Sequence, residues 1–317
     1  VTTEYDDFGN LIRQVDETGL IEERTYYKAG GEDGCPEDPL GMTRSLKQLT
    51  ATPMAGRAEG AAEVVTTYRY ALLPSKVAGD PGCLVLVNEK KVALEGGKEI
   101  DLGTTVTEYI NDVGSESHGR VLSETSTLNG FESKVAYTYT LDEAAATLRV
   151  DTVFTGHDKL TRTASETQSL INGLTIHEEE GGSVIERTYD VLGRVVTETA
   201  APGAGEFEAT RTISYTLAAA EGDPASITTT EVTGGRAVVH LDGLGREVSG
   251  DVEDVDVSPV AFREIWTRRY NAFGDLVEQT NTDWVEGKAR ATLTTTYVYD
   301  DWGQQSRTLH PDGTVDV

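Results

Sequence analysis

Tyr189-Asp190-Val191-Leu192-Gly193-Arg194 is the stretch that decides the fold, because close copies of it recur along the chain. Copies begin at Tyr5, Leu241, Tyr270 and Tyr299, and the last three start 29 residues apart. A fixed motif at a fixed period is typical of a repeat architecture, in which each unit packs on its neighbours. A repeat of this kind builds a surface or a wall, and only rarely a catalytic pocket.

The sequence between the motifs alternates polar and β-forming residues at a period of two. Examples are residues 64–70, 135–140 and 293–299, which are rich in Val, Thr and Tyr. Such runs fit a pleated, half-buried surface. Turn formers such as Asn129-Gly130 separate the runs and favour hairpins, because both residues accept positive φ. The sequence therefore predicts an all-β array of antiparallel hairpins that forms a curved sheet.

The motif itself has a mechanical interpretation. The tyrosine ends one strand with its ring on the buried face and packs on the next hairpin, and the glycine takes a backbone conformation that other residues avoid. We expect Asp190 to cap the turn and Arg194 to pair with a neighbouring acid. The structural repeat residues are Tyr5, Asp6, Gly9, Tyr189, Asp190, Gly193, Arg194, Asp242, Gly245, Arg246, Tyr270, Gly274, Tyr299, Asp300 and Gly303.

Three regions follow from the distribution of the motif. Residues 1–27 read as one repeat-like hairpin, 28–104 as an irregular insertion with an extra hairpin, and 105–317 as the main repeat sheet. The expected extra hairpin joins the runs 84–87 and 92–94 through residues 88–91, and 28–62 should be the least regular part. A degenerate hairpin, with strands near 210–217 and 226–233, fills the gap between the motifs at Tyr189 and Leu241. Because Val1 lies inside a predicted strand, we expect the chain to be a segment of a longer protein.

Charge and hydropathy exclude some functions. The formal net charge is −27, from 54 acidic and 27 basic residues. Duplex nucleic acid is therefore not an expected partner, since phosphate binding requires a basic face. The chain has no run of 18 or more apolar residues, so direct membrane insertion is not expected. The first residues also lack the basic and apolar regions of a signal peptide.

Candidate reactive residues form no convincing constellation, and we expect no catalytic residue, metal or cofactor. The histidines are scattered, and acid pairs such as Asp300-Asp301 arise readily among 54 acids. The closest approach to a calcium loop is Asp251, Asp254 and Asp256, without the full loop pattern. The two cysteines are either free or bridged to each other. The tryptophans either pack between hairpins or form a sugar-stacking platform; they are Trp266, Trp284 and Trp302.

The Tyr-Asp-x-x-Gly-Arg pattern resembles the RHS, or YD, repeat of bacterial toxin and surface proteins. The match is closest at 189–194 and good at 242–246, and Pro311-Asp312-Gly313 resembles a turn that often follows. The stretches 154–163 and 201–211 look like regions of the shell-forming B component of insecticidal Tc toxin complexes. The resemblance covers most of 105–317 and, more weakly, 1–27.

The resemblance implies a hollow shell of hairpins that encloses a toxic C-terminal polypeptide, in a protein that is secreted or extracellular. The implied partners are other repeat segments of the same shell, the enclosed toxin polypeptide and a translocation-pore component. The sequence departs from the full family pattern, because it lacks the autoprotease core, a C-terminal toxin and a pore-docking propeller. Only the wall role is therefore carried over.

Two classes of function remain open. The first is a non-enzymatic structural segment of a toxin shell. The alternative is an extracellular adhesion or carbohydrate-binding protein built on the same repeats. An enzyme is the least favoured class, because no catalytic constellation is present. Flanking sequence would separate the first two, since a propeller and an Asp-containing core favour a toxin and a lectin or anchor favours adhesion.

Overall fold

The architecture was analysed in a computed structural model, which describes residues 1–54, 61–218, 224–255 and 259–316. The described chain is all-β apart from a short 3-10 helix at Gly205–Phe207. Its strands are β1 Thr2–Tyr5, β2 Leu11–Val15, β3 Ile21–Tyr26, β4 Leu46–Thr52, β5 Glu63–Leu73, β6 Cys83–Glu95, β7 Lys98–Tyr109, β8 Val121–Leu128, β9 Phe131–Asp142, β10 Thr147–Thr155, β11 Thr161–Ser169, β12 Thr175–Glu180, β13 Ser183–Tyr189, β14 Val195–Ala200, β15 Ala209–Thr216, β16 Ala225–Thr230, β17 Arg236–Leu241, β18 Glu247–Asp254, β19 Ala261–Tyr270, β20 Leu276–Val285, β21 Lys288–Tyr299, β22 Gln305–Leu309 and β23 Val315–Asp316.

The chain divides into two compact units. The first comprises residues 1–173 and 179–182, and the second comprises 174–178 and 183–317. In the first unit, each of β1 to β10 pairs antiparallel with the strand that follows it. In the second unit, β13 to β23 pair in the same way. The predicted antiparallel hairpin array is therefore confirmed.

Neither unit is built around a thick core. Among the described residues, the buried apolar side chains are Tyr27, Cys35, Leu73, Val92, Ala93 and Leu148, all in the first unit. Within each unit, every contact recorded between described strands joins sequence neighbours, so no strand there packs face to face on another. Two-layer domains bury an inner face between layers, and this arrangement is absent from the described part of either unit.

The surface area gives the same result. The chain exposes 20287 Å². A compact monomer of this mass would expose about 13,000 Å², and two separate globules of half the mass would together expose about 15,500 Å². The excess therefore does not arise from the division into two units. It arises because both faces of each sheet remain accessible to solvent.

Several hairpins lie where the sequence predicts them. Asn129 and Gly130 both have positive φ, 53° and 76°, and join β8 to β9. The degenerate hairpin between the motifs is also confirmed, as β15 and β16. The turn before β23 contains Gly313 at φ 85°. These turns form because glycine and asparagine pay little for a left-handed backbone conformation.

The turn predicted at residues 88–91 is wrong, and the hairpin in this region lies elsewhere. The runs 84–87 and 92–94 lie in one continuous strand, β6, in which Lys90 and Lys91 pair with Thr104 and Gly103 of β7. The chain turns instead at Gly96 and Gly97, whose φ values are 56° and 79°. Two consecutive glycines close a tight turn more readily than the charged run 88–91 does. That run remains in a strand because both faces of the sheet are accessible to solvent. Between β3 and β4 the described chain forms no strand, and residues 55–60 lie outside the described part.

Candidate functional site: the repeated turn and its tyrosine contact

The turn at Asp190–Arg194 is closed by backbone and side-chain hydrogen bonds together. The Asp190 amide donates to the Arg194 carbonyl at 2.9 Å, and the Gly193 amide donates to the Asp190 carbonyl at 3.0 Å. Oδ1 of Asp190 accepts from the amides of Leu192 and Arg194 at 2.9 and 3.0 Å. Gly193 has φ 79°, as the motif requires. Asp190 therefore caps the turn, as the sequence predicts.

The arginine of the motif pairs with the aspartate of its own turn. Nε of Arg194 donates to Oδ2 of Asp190 at 2.7 Å, and Nη2 lies 2.6 Å from the same oxygen. Arg246 makes the same two contacts with Asp242, also at 2.7 and 2.6 Å. The aspartate thus uses one oxygen for the backbone and the other for the guanidinium. This division explains why the motif needs both residue types four positions apart.

Other copies of the motif form the same turn without the Asp–Arg ion pair. In the turn that starts at Asn271, Oδ1 of the amide accepts from the backbone of Phe273 and Asp275, and Nδ2 donates to the Asp275 carboxylate at 2.9 Å. At Asp6, the partner is Asn10, whose Nδ2 donates to Oδ2 at 2.9 Å. At Asp300, the carboxylate accepts from the backbone amides of Trp302 and Gln304. The glycines stay left-handed; Gly9, Gly245, Gly274 and Gly303 have φ of 85°, 77°, 99° and 75°.

A register shift places the tyrosine of the motif. Tyr189 faces Val195, whereas the preceding residue Thr188 faces Thr197, so Val196 is an extra residue in the return strand. The same shift occurs before Tyr5, Leu241, Tyr270 and Tyr299. A bulge with glycine in the left-handed region re-aims side chains and increases local twist. The motif therefore fixes a bulged hairpin and not only a tight turn.

Tyrosine hydroxyls connect several turns to the strand that comes after the return strand. The hydroxyl of Tyr215, on β15, donates to the carbonyl of Val195, the first residue of β14, at 3.0 Å. Tyr270 reaches the carbonyl of Glu247 at 3.0 Å, and Tyr299 that of Leu276 at 2.9 Å. The same contact joins Tyr26 to Leu11, Tyr139 to Val121 and Tyr189 to Thr175, at 3.0, 2.8 and 2.6 Å. We call this contact the tyrosine latch.

The sequence predicts that the motif tyrosine packs on the next hairpin, and this prediction is wrong. The tyrosines of the motifs at 189, 270 and 299 contact the preceding hairpin, not the next one. The bulge explains the reversal, because it sets the tyrosine at the end of its strand, beside the first residue of the preceding return strand. The motifs at 189, 270 and 299 therefore close their own turns through Asp or Asn and Gly, and each is bonded to the preceding hairpin through its Tyr.

The latching ring also covers the arginine of the turn. The guanidinium carbon of Arg194 lies 4.1 Å from the ring centroid of Tyr215, and that of Arg246 lies 4.5 Å from Tyr270. Arg120 lies 5.2 Å from Tyr139 in a turn without the motif aspartate. Cation–π contacts at partly exposed sites contribute about 0.5–1 kcal/mol. The arginine thus lies between a carboxylate and an aromatic ring that come from different hairpins.

The electrostatics of the turns follow from these contacts. Hydrogen bonds from the amide and side chain of Arg194 hold the pKa of Asp190 below its ordinary value. The side chain and then the amide of Arg246 lower the pKa of Asp242 in the same way. The Thr314 amide and hydroxyl lower the pKa of Asp312. The carboxylates therefore remain ionised as structural acceptors, and nothing in the turns poises them near neutrality for acid–base catalysis.

Sequence inspection missed turns of the same kind. Asp16 and Gly19 form a turn with the same backbone pattern, and Oδ1 of Asp16 accepts from the Thr18 and Leu20 amides. Asp38 is 3 % exposed; its Oδ1 accepts from the amides of Leu40 and Met42, and Arg44 donates to Oδ2 at 2.9 Å. The shared Asp-x-x-Gly spacing would have identified both copies without the tyrosine.

The third position of the motif turn presents a large apolar side chain to solvent. Phe8, Leu192, Leu244, Phe273 and Trp302 are 73, 70, 79, 93 and 89 % exposed. These side chains do not contribute to a core in the described chain. The turn tips therefore carry exposed apolar side chains at a repeated position.

The other candidate residues are held in separate contacts. Asp251 pairs with His240 at 2.8 Å and Asp254 with Arg263 at 3.2 Å, whereas Asp256 lies outside the described residues. No group of three or more potential metal ligands is found in the part of the chain that the structure describes. Both cysteines are free; Cys35 is buried and Cys83 is exposed.

The tryptophans have different surroundings. Trp266 lies so close to Gly250 that a Cβ there would clash with its indole ring. Trp284 donates to the Glu264 carbonyl at 2.8 Å and is covered by Arg263. It lines an open depression of about 690 Å³ on β18 to β20, with Asp254 and Asp283. Trp302 is at an exposed turn tip. Two of the three thus pack between strands, as expected of a β wall.

Comparisons with known proteins give structural neighbours only. No family model and no curated protein matches the sequence. Among solved structures, the chain is similar to the crystal structure of TcdB2-TccC3-Cdc42, with a TM-score of 0.44 and 14% identity. It is also similar to the crystal structure of TcdB2-TccC3, with a TM-score of 0.42 and 14% identity. Each match covers 97% of this chain, which spans 15% of the matched chain. Within the described residues, no helix has the length and apolarity to cross a membrane.

Proposed function

We propose that this chain is a non-enzymatic segment of the wall of an RHS/YD-repeat toxin shell, which encloses and shields a toxic polypeptide. The observation that carries the proposal is the thin sheet. Each strand contacts only its sequence neighbours, and 20287 Å² of surface is exposed, well above the area of compact globules. A thin sheet suits a wall that has one face toward an enclosed polypeptide, whereas ligand pockets are concave.

The latched turns support this role mechanically. A hairpin in isolation is marginally stable, and here six turns are bonded to a neighbouring hairpin by a tyrosine hydroxyl, in several cases with a stacked arginine. Stability is therefore distributed along the array and not concentrated in a core. In such a wall the partners are further repeat segments on either side, a polypeptide on one face and a translocation-pore component. The location that goes with this role is outside the producing cell.

Protease protection tests the proposal. The longer protein that carries this chain would be expressed with and without residues 189–299 and exposed to added protease. We expect the enclosed polypeptide to be resistant in the intact protein and to be degraded after the deletion. Protection that survives the deletion would contradict the wall role.

An adhesion or carbohydrate-binding protein remains the second candidate, and one observation favours it. The depression beside Trp284 combines an aromatic face with carboxylates, which is a usual composition for sugar contacts. Binding of the 317-residue protein to a glycan array, abolished by Trp284→Ala and unchanged by Trp302→Ala, would support this candidate. Absence of glycan binding would remove it.

A further inference from the structure

An open depression at one end of strands β5 to β8 is lined mainly by apolar side chains. Its volume is about 610 Å³, which is in the range of small-ligand sites. Leu72, Val106 and Leu122 line it and remain 45, 40 and 44 % exposed. All the lining residues lie between 71 and 122, so the depression belongs to the first unit alone. These side chains leave apolar area in water that a bound ligand would cover.

Two loops at this end of the strands are bonded to each other. The first follows the end of β5, and the second, which contains the lining residue Asn111, follows the end of β7. Nε2 of His118 donates to the Pro74 carbonyl at 2.8 Å, and Nζ of Lys76 lies 3.1 Å from Oε1 of Glu116. The border of the depression is thus held in place before any ligand arrives, which lowers the entropic cost of binding.

Glu108 places an oriented carboxylate in the depression. Its Oε2 accepts from the hydroxyl of the buried Ser123 at 2.7 Å and lies 3.8 Å from Nζ of Lys134. Among the described residues, Oε1 has no hydrogen-bond partner, and no lysine or arginine lines the depression. One carboxylate oxygen therefore fixes the side chain, and the other is available to a ligand.

The polar groups near the carboxylate indicate the charge of the ligand. Asn88 lies opposite Val106 in the pairing of β6 with β7, and Asn111 lies in the bordering loop. Within the described part of the chain, neither side-chain amide makes a hydrogen bond. A primary ammonium has three donors and no acceptor, so it matches carboxylate and amide oxygens. A ligand carboxylate would instead face the like charge of Glu108.

We propose that this depression binds a small amphipathic cation, which is a ligand with an apolar body and one primary ammonium group. The apolar body covers Leu72, Val106 and Leu122. The ammonium donates to Oε1 of Glu108, and the two asparagine amides are further acceptors. The net charge of −27 adds a general attraction for a cation. The site goes beyond the wall role and does not depend on it.

Octylammonium is a suitable probe, and octanol and octanoate have the same apolar chain with a neutral or an anionic head. Binding to the 317-residue protein is followed by nuclear magnetic resonance of labelled leucine and valine methyl groups, which locates the ligand. The protein variants are Glu108→Gln, which removes the charge at nearly constant size, and Val106→Thr, which makes the lining polar at nearly constant shape. The matched control is Glu132→Gln, because Glu132 is exposed on β9 and does not line the depression.

We expect octylammonium to shift the methyl signals of Leu72, Val106 and Leu122 with a dissociation constant below about 1 mM. Glu108→Gln should weaken binding about 2- to 10-fold, because the ion pair lies at a partly exposed site. Val106→Thr should also weaken it, whereas Glu132→Gln should bind as the unmodified protein does. Octanol and octanoate should bind more weakly than octylammonium.

Three results would overturn the proposal. They are the absence of these methyl shifts up to about 1 mM octylammonium, equal affinity for octanoate, and equal weakening by Glu108→Gln and Glu132→Gln, which would show attraction by net charge alone. Circular dichroism of each variant excludes loss of fold as the cause of weaker binding. The protease-protection test of the wall involves neither this ligand nor these residues, so either proposal can fail without the other.

Discussion

Arg194 and Tyr215 form a cation–π pair in which the guanidinium lies 4.1 Å from the ring centroid, although the two residues belong to different hairpins. The same arginine is bonded to Asp190 of its own turn at 2.7 Å. The tyrosine in turn donates to the carbonyl of Val195. One turn is thereby joined to the following strand by two contacts that do not depend on the ladder of backbone hydrogen bonds.

The tyrosine latch should contribute measurably to stability. Tyr215→Phe removes the hydrogen bond to Val195 and keeps the ring, so we expect a loss of about 0.5–1.5 kcal/mol in the free energy of unfolding. Urea unfolding followed by circular dichroism measures it. Tyr5→Phe is the matched control, because its phenol is 60 % exposed, and should change stability little. Equal effects of the two substitutions would show that the latch has no energetic role.

A side chain at the turn glycines should lower the free energy of unfolding. Gly245 has φ 77° and open space around the position of a Cβ, so Gly245→Ala isolates backbone strain from steric contact. We expect a destabilisation of roughly 1 kcal/mol. Gly193→Val should cost at least as much, because a Cβ there would also approach Leu174 at 3.3 Å. Gly235→Ala is the control, since only Thr233 lies near its Cβ, at 3.7 Å, and its φ is not left-handed. An unchanged melting temperature for Gly245→Ala would refute the turn assignment.

The capping aspartates make the fold sensitive to acid. The folded pKa of Asp242 is lowered by Arg246, so its ionised form stabilises the fold above the unfolded pKa, about 4. That contribution is lost as the pH falls through the folded pKa. Asp242→Asn keeps the oxygen that accepts the turn amides, as Asn271 does, but cannot ionise. We expect the variant to be less stable at pH 7 and the difference to shrink below about pH 4. A difference that is constant from pH 7 to pH 2 would exclude this linkage.

The apolar turn tips should be dispensable for folding. Phe273 is 93 % exposed and Leu244 is 79 % exposed, so Phe273→Ser and Leu244→Ser remove almost no buried area. We expect each to change the free energy of unfolding by less than about 0.5 kcal/mol. Thermal unfolding measures the effect, with Leu148→Ala, a buried residue of the first unit, as the reference for a costly substitution. A large loss of stability in the serine variants would show that these side chains are buried, and would contradict the prediction.

The fold could be predicted from the sequence where local rules dominate. Period-two runs and left-handed glycines determine a hairpin almost alone, so the turn at Asn129-Gly130 and the strands β15 and β16 followed directly. The turn predicted within 84–94 was wrong because the prediction assumed that a strand buries one face. Under that assumption a run of charged residues indicates a turn. The sheet has accessible faces, and Lys90 and Lys91 therefore continue the strand.

Less of the repeated turn and its tyrosine contact could be predicted from the sequence. The bond between Asp190 and Arg194 is local and follows from their spacing. The latch between Tyr215 and Val195 spans 20 residues, and its direction depends on a bulge that shifts the register. The copy at Asp38 escaped notice because Arg44 lies two positions beyond its usual place and no tyrosine precedes the aspartate.

The most direct test of the account is the rate at which added protease digests the enclosed polypeptide in the longer protein. The variant combines Tyr215→Phe, Tyr270→Phe and Tyr299→Phe, which removes three latches and leaves the turns intact. If latched hairpins form the shielding wall, digestion should be faster in this variant than in the unmodified protein, while Tyr5→Phe should match the unmodified protein. Digestion at the same rate in all three proteins would contradict the account.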